Sequence, residues 1–145
     1  MEVEILISQT AEYALRAIVC LAGNSAKSLT SQEIADATHV PAGYMSKVLQ
    51  ALGRAGLVVS QRGLNGGFTL TRPSTDMTVL DVVSAVDPIK RIRTCPLGLK
   101  QHGTNLCPLH RRLDEAAAQI EQSFRETVVA DLLVSDTDVT PLCDH

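Results

Sequence analysis

The first 40 residues carry apolar positions at the spacing of two short helices. Apolar side chains recur every three or four residues over 8–21, and this pattern predicts a first helix with Ser8 or Thr10 as its cap. Thr30 and Glu33 stand three residues apart, which is the spacing of a capping box. The sequence therefore predicts a second, shorter helix over 31–38.

A third helix and a hairpin are expected next. Pro41 is expected in the first turn of that helix, where its missing N–H does no harm, and Gly56 is expected to stop it. Two short helices about three residues apart predict a helix-turn-helix. The following residues predict a strand over 57–62, a glycine-rich turn that needs positive φ over 63–67, and a return strand over 68–71. A helix-turn-helix followed by a hairpin is a winged helix.

The pattern changes in the second half of the chain. A helix capped by Thr78, with Asp81 three residues on, is expected to close the small core. Over 89–109 the periodicity fails, and so long a loop in a small domain usually serves a function. Beyond it, an apolar stripe at steps of three or four residues predicts one long helix with an acidic opposite face. The stripe consists of Leu113, Ala117, Ile120, Phe124, Val128 and Leu132.

This organisation predicts a mainly α protein with a small β wing. We expect a winged helix-turn-helix over 1–87, a cofactor or sensor loop over 88–112, a dimerisation helix over 113–134 and a flexible tail over 135–145. So small a domain offers little apolar surface of its own against which the stripe could pack. We therefore expect the stripe to pack against the same stripe of a second copy of the chain in a two-fold dimer. The alternative is that the stripe folds back onto its own winged helix.

Composition limits the class of protein. With 145 residues, 45% of them apolar, and no Trp, the chain has room for one aliphatic core. No apolar run approaches the roughly 18 residues of a membrane span. The N-terminus lacks the basic start and cleavage site of a signal peptide. The sequence therefore predicts a cytoplasmic protein with no membrane partner.

The net charge of −3 hides a segregation of charge along the chain. No acid lies between Asp36 and Asp76, a stretch with four bases, and a second group of bases stands alone between Asp87 and Asp114. From Asp114 to the end of the sequence, Arg125 is the one Lys or Arg residue among the acids. An acid-free basic segment over the second helix of the motif and the wing indicates a polyanionic partner, namely double-stranded DNA.

The second helix of a helix-turn-helix enters the major groove with its N-terminal residues toward base edges. Lys47 can bond guanine or phosphate, Gln50 can address adenine, and Arg62 with the wing could reach a minor groove. The alternative is a solvated helix face. The predicted DNA-binding residues are Ala42, Gly43, Tyr44, Ser46, Lys47, Gln50, Arg54, Arg62, Asn65 and Gly66.

The loop before the long helix holds candidate metal ligands. Cys95, His102, Cys107 and His110 offer thiolates and imidazoles, which are ligands of iron–sulfur or zinc sites. Their spacing fits no zinc finger closely. The alternative is two thiols and two surface histidines in a loop. Bases that would offset the charge of a thiolate-bound cluster stand nearby, and they are Lys90, Arg91, Arg93, Arg111 and Arg112.

Five segments carry a resemblance to a known family. They are Tyr-Ala-Leu-Arg at 13–16, the helix with Ile-Ala at 34–35, Tyr-Met-Ser-Lys-Val-Leu at 44–49, Gly-Leu-Val at 56–58 and, most specifically, Arg-Gly-Leu-Asn-Gly-Gly-Phe at 62–68. The chain resembles the bacterial family of IscR, NsrR, RsrR and CymR over about 7–133. The resemblance implies a dimeric winged-helix transcription regulator.

The same resemblance bears on the cofactor. Cluster-binding members place three cysteines, spaced Cys-x5-Cys-x5-Cys, before the dimer helix, with a histidine three residues on or an acid from helix 1 of the partner. The resemblance implies Cys95 and Cys107 at the outer positions, His110 as the histidine and Glu12 as the acid, whereas the middle position is Gln101. It thus implies a [2Fe-2S] cluster on two cysteines completed by a histidine or the acid. The alternatives are a [4Fe-4S] cluster, no cluster, or a redox pair of thiols.

We therefore hypothesise a homodimeric, sequence-specific regulator, with repression as the expected sign, that senses redox, iron–sulfur or nitric oxide status through the loop. The rival is a cofactor-free regulator controlled by thiol oxidation or a partner protein. An enzyme is not predicted, since no nucleophile, base and orienting group fall together and no phosphate-cradling loop opens a helix.

Overall fold

The computed structural model describes residues 6–94, 97–98 and 105–133. Its helices are α1 (Gln9–Gly23), α2 (Ser31–Thr38), α3 (Ala42–Arg54), α4 (Val79–Val86), α5 (Pro108–Glu126) and α6 (Val129–Leu133), and its strands are β1 (Val58–Gln61) and β2 (Gly67–Leu70). This mainly helical architecture with a small hairpin confirms the predicted winged helix-turn-helix. None of the helices in the described ranges is long and apolar enough to cross a membrane.

The predicted caps determine where the helices of the winged half begin. Ser8 Oγ accepts from a first-turn amide of α1 at 3.1 Å. Thr30 Oγ1 accepts from the Glu33 N–H at 3.1 Å, while the Glu33 carboxylate accepts from the Thr30 N–H at 3.3 Å. The same reciprocal bonds join Thr78 and Asp81 ahead of α4. Both capping boxes are therefore confirmed.

Pro41 lies one position earlier than expected. It is the N-cap of α3, with an extended ψ of 134°, and its carbonyl accepts the first helical bond from the Met45 N–H at 2.9 Å. The preceding helix ends at His39, which has the left-handed φ of 57°. The turn between α2 and α3 is thus set by one left-handed residue and one proline.

The wing contains more backbone pairing than the hairpin alone. β1 and β2 run antiparallel, with Val58 opposite Leu70. Leu29, which precedes α2, forms a bridge with Phe68, and the two exchange hydrogen bonds of 3.1 and 2.7 Å. The base of the wing is therefore joined to the start of the helix-turn-helix.

The core belongs almost entirely to the winged half. Among the described residues, every buried apolar side chain except Val129 lies between Ala11 and Val83. The largest fully buried side chains of this half are Ile18, Ile34, Met45, Leu49, Leu52, Met77, Val19, Val82 and Val83. The winged helix thus has a continuous aliphatic core of its own, as the composition predicts.

The prediction of one helix over 113–134 is wrong. α5 begins five residues earlier, because Pro108 suits the first helical position after the N-cap Cys107, and it ends at Glu126. The carbonyl of Thr127 accepts from the Val79 N–H, and the Val129 N–H donates to the Met77 carbonyl, both at 2.8 Å. This pairing with the segment before α4 breaks the helix.

The break divides the apolar stripe between two surfaces. Val128 forms a bridge with Thr78, and Leu132 lies on α6, which packs against α1 beside the fully buried Val129. On α5, by contrast, no residue is fully buried, although Phe124 contacts the core. The end of the stripe therefore folds back onto the winged helix, which was the alternative, while the α5 part lacks a full cover in the single chain.

Candidate nucleic-acid interface and metal centre

The helix α3 has one buried face and one outward face. Its buried residues are Met45, Val48, Leu49 and Leu52, which anchor it in the core. The remaining face carries every predicted DNA-binding residue of this helix. Ser46 is half-buried, and the exposed ones are Ala42, Gly43, Tyr44, Lys47, Gln50 and Arg54. The amphipathic pattern thus holds α3 so that its polar side chains point away from the protein.

Tyr44 links the start of α3 to α1. Its hydroxyl forms a hydrogen bond with Thr10 Oγ1, and its ring meets Tyr13 edge to face, with centroids 5.2 Å apart. The Arg16 guanidinium lies 5.3 Å from the Tyr13 ring centroid and donates to the Thr38 carbonyl at 3.1 Å. The sequence pattern missed Thr10 and Arg16 in this role, because only the crossing of α1 with the helix-turn-helix brings them to Tyr44.

The wing presents the remaining predicted contacts. Arg62 and Asn65 are exposed, and the Asn65 carbonyl accepts a hydrogen bond from the Ser28 hydroxyl at 2.5 Å. Gly66 closes the tip, since its N–H donates to the Gly63 carbonyl at 3.0 Å. A Cβ on Gly66 would lie 2.7 Å from the backbone oxygen at the end of β1. The wing therefore requires glycine here for a steric reason.

The cations of this face are available to a ligand. Lys47, Arg54 and Arg62 are exposed and form no ion pair with the part of the chain that the structure describes. Arg72 differs, because it pairs with Asp81 at 3.7 Å. No acid lies over 37–75, a segment that includes α3 and the wing, so no carboxylate of that segment offsets these three cations. Such a surface attracts a polyanion.

The N-terminus of α5 brings together two of the predicted metal ligands. Cys107 Sγ lies 3.3 Å from His110 Nδ1, and both side chains are half-buried. Cys95 and His102 lie outside the described residues. The Cys-x-x-His spacing therefore yields a real thiol–imidazole pair on the first turn of a helix.

Glu12, the fifth predicted ligand, lies on α1. Its carboxylate is 3.2 Å from the Arg16 guanidinium one turn later, and both side chains are about three-quarters buried. Within the described residues, no three His, Cys, Asp or Glu side chains come together as a metal site. The chemistry of the Cys107 and His110 donors fits half of the ligand set of an iron–sulfur or zinc centre.

Arg91, one of the bases expected to offset the charge of a cluster, is ion-paired with two carboxylates. Its Nε and Nη2 donate to the two oxygens of Asp114 at 2.7 and 3.0 Å, and Nη1 donates to Glu121 at 3.3 Å. We call Arg91, Asp114 and Glu121 the Arg91 clamp. The bonds from Arg91, followed by one from the Ile92 N–H at 2.8 Å, lower the pKa of Asp114 to about 2. These residues are far apart in sequence, and no local pattern separates Arg91 from the neighbouring bases.

Comparison with known proteins places this geometry in a family. The family model described as Rrf2, iron-dependent transcriptional regulator, matches residues 7–135. The chain is 29% identical over 131 residues to an HTH-type transcriptional regulator of Aquifex aeolicus, covering 88% of this chain and 91% of that protein. It is 31% identical over 137 residues to an rrf2-like HTH-type regulator of Rhodobacter capsulatus, covering 91% and 87%.

Solved structures of low sequence identity share the fold. One is CymR, the global cysteine regulator of B. subtilis, with a TM-score of 0.73 and 23% identity over 88% of this chain and 95% of that one. Another is T. potens IscR, with a TM-score of 0.74 and 21% identity over 90% and 87%. These likenesses show the fold, and the family match over 7–135 shows that the chain belongs to the Rrf2 family, whose members are DNA-binding transcriptional regulators and not enzymes.

Proposed function

We propose that the protein is a homodimeric repressor that reads a pseudo-palindromic operator and senses redox, iron–sulfur or nitric oxide status through a [2Fe-2S] cluster. The observation that carries DNA reading is the outward face of α3 and the wing, with three cations that form no ion pair within the described residues and no acid over 37–75. A regulator of chromosomal DNA would act in the cytoplasm.

In the proposed complex, α3 lies in the major groove with its N-terminal turn toward the bases. Lys47 would bond guanine or phosphate, and Gln50 would address adenine. Ala42 has only a methyl side chain and Gly43 has none, which permits a close approach to the groove. Arg54, at the far end of α3, would contact phosphate. Tyr44 would keep α3 at a fixed angle to α1 through its bond to Thr10.

In the proposed sensor, Cys107 and His110 would hold the cluster together with Cys95 and either His102 or Glu12. The cluster would supply a charge and a ligand set that change with oxidation state. Glu12 is ion-paired with Arg16 in the chain, so its use as a ligand would require that pair to open. This cost favours a histidine as the fourth ligand.

The Arg91 clamp connects the sensor to the reading head. Cys107 and His110 lie on the first turn of α5, and Asp114 lies one turn further along the same helix. Arg91 belongs to the segment that leaves α4, and α4 packs against α1 and α3. A shift of the first turn of α5 would therefore move the clamp and, through α4, the winged helix. Such a response is a shift of population between two arrangements.

The dimer would use the uncovered face of α5. Leu109 and Leu113 are 63% and 49% exposed. Beside them runs a groove of ≈ 350 Å³ whose apolar lining includes Leu6, Ile7, Pro88, Ile89, Leu113 and Ile120. A second α5 seated here would cover the stripe and fix the distance between two reading heads.

Anaerobic purification tests the sensor, with absorbance, iron and acid-labile sulfide assayed on one sample. We expect a coloured protein with about two irons and two sulfides per chain, as a [2Fe-2S] centre requires, and loss of both in Cys107→Ala and His110→Ala. The control is Cys20→Ala, because Cys20 is buried in α1 away from the proposed site. A coloured Cys107→Ala protein would contradict the ligand assignment.

The test of DNA binding uses operators that the full-length protein selects from a pool of random duplexes. We expect Arg62→Ala to weaken binding at fixed salt, because one phosphate or groove contact is lost. The slope of log affinity against log salt concentration should become less negative by about one, since about one fewer counterion is released on binding. Unchanged affinity would count against the wing. Absence of any sequence selection by the wild-type protein would overturn the regulator itself.

The half-buried Cys107–His110 pair favours one second candidate, a cofactor-free regulator controlled by thiol oxidation. A colourless protein that still selects DNA, and loses that affinity reversibly with peroxide, would support this candidate over the cluster sensor.

A further inference from the structure

The tip of the wing carries an apolar side chain that the fold does not use. Leu64 has a relative exposure of 104%, the highest among the exposed large apolar side chains of the described residues. It follows Arg62 and Gly63 in the turn between β1 and β2. A leucine in this position gains nothing from burial in the folded chain.

The turn that presents Leu64 is held in one conformation. Gly63 has a φ of +116°, and its carbonyl accepts the Gly66 N–H at 3.0 Å, so residues 63–66 form a closed turn. The Ser28 hydroxyl holds the carbonyl of Asn65. Because the backbone is already ordered, binding through Leu64 costs little conformational entropy.

The charges around the tip indicate what it would enter. Arg62 is exposed without an ion pair in the described part of the chain, and no acid lies within 37–75. The tip is therefore an apolar side chain carried by a cationic hairpin. With α3 proposed to lie in the major groove, the DNA surface left for an aliphatic side chain of the wing is the minor groove, with its sugar faces and the gaps between base pairs.

We propose that Leu64 is an apolar wedge that the wing inserts into the minor groove of the operator, so that the ease of opening a base step contributes to operator choice. The inference rests on the proposed function. Arg62 supplies the attraction, and Leu64 supplies a contact that a stiff step resists and a flexible pyrimidine–purine step accepts.

The test compares wild-type protein and Leu64→Ala on the duplex that the wild-type protein selects, with affinity measured by anisotropy and bending by energy transfer between labelled ends. We expect about tenfold weaker binding (about 1.4 kcal/mol) and a smaller bend. The salt dependence stays unchanged, because no charge is removed. The matched control is Val59→Ala, which trims an aliphatic side chain that is 46% exposed on β1, away from the tip, and should alter neither quantity.

A second variant separates the wedge from simple adhesion. Leu64→Lys adds a cation at the same point, so we expect a steeper salt dependence but the same loss of bending as in Leu64→Ala. Equal affinity and equal bending for wild type and Leu64→Ala would overturn the wedge, as would a wild-type bend in Leu64→Lys. If Leu64→Ala binds and bends DNA normally but no longer represses transcription, the tip contacts a protein and the wedge is again overturned. Failure of wild type to select any duplex would instead overturn the proposed function.

Discussion

The winged half and α5 differ in how completely the single chain buries their apolar side chains. Between Ala11 and Val83 the structure has a continuous core, whereas α5 has no fully buried residue over its 19 positions. Both regions have amphipathic sequences. The winged half meets its apolar faces with its own helices, while α5 contacts α4 along part of its length and leaves Leu113 about half exposed.

This difference shows which apolar surfaces a single chain buries by itself. A region with its own core can keep a fixed shape, which a DNA-reading surface requires. A helix with a partly covered apolar stripe can change its position at a lower free-energy cost, which would suit a link between the proposed sensor and the proposed dimer interface. The following predictions would break or sharpen that distinction.

The largest expected effect is on the core of the winged half. Leu49 is fully buried on α3, so Leu49→Ala should lower the free energy of unfolding by about 2 to 5 kcal/mol through lost transfer energy and a cavity. Leu109→Ala, at a position 63% exposed in the single chain, should change the unfolding free energy of the monomer by less than about 0.5 kcal/mol. Urea unfolding at protein concentrations low enough to give a concentration-independent midpoint measures both. Equal effects would mean that the two regions do not differ as described.

The next effect concerns the wing. Gly67 has a φ of +150°, and a Cβ there would lie 2.5 Å from the Leu29 carbonyl oxygen. Gly67→Ala should therefore cost about 1 to 3 kcal/mol of stability and loosen the bridge between Leu29 and Phe68. Amide hydrogen exchange at Leu29 and Phe68 would show the loosening. Gly43→Ala is the control, because a Cβ at that helical position meets nothing within 4 Å.

A smaller effect is expected on self-association. Leu113→Glu places a charge on the uncovered stripe. We expect the dissociation constant of the proposed dimer to rise about tenfold, which corresponds to about 1.4 kcal/mol of association free energy. The helix content should stay unchanged. Sedimentation over a range of concentrations measures the association. The control is Glu115→Ala, on the outward side of α5, which should associate like the wild-type protein. If Leu113→Glu also associates like the wild-type protein, a dimer through this face is contradicted.

The smallest effect comes from the Arg91 clamp and depends on pH. Because the pKa of Asp114 falls from 3.8 to about 2 on folding, its stabilising contribution is complete above about pH 4 and is lost as the pH falls through 2. The difference in unfolding free energy between wild type and Asp114→Asn should therefore be constant from pH 6 to 4 and shrink toward pH 2. A difference that does not depend on pH would show that the carboxylate charge plays no part in the clamp.

Much of the fold could be predicted because its signals are local. The capping boxes at Thr30 and Thr78 determine two helix starts by bonds within three residues, and the hairpin follows from glycines that permit positive φ. The buried face of α3 follows from the helical spacing of its apolar residues. The pairing of Cys107 with His110 was also accessible, because one helical turn separates them.

Tertiary structure decided what depends on residues far apart in the chain. The end of α5 at Glu126 results from backbone pairing with the segment before α4, which overrides a stripe that would otherwise continue. Arg91 looks like any base in its run until folding brings Asp114 and Glu121 to it. The sequence by itself determined the winged helix and its cationic face, since those depend on local periodicity and composition. The division of the apolar stripe and the clamp required the fold, because hydrogen bonds between distant segments carry no local sequence signal.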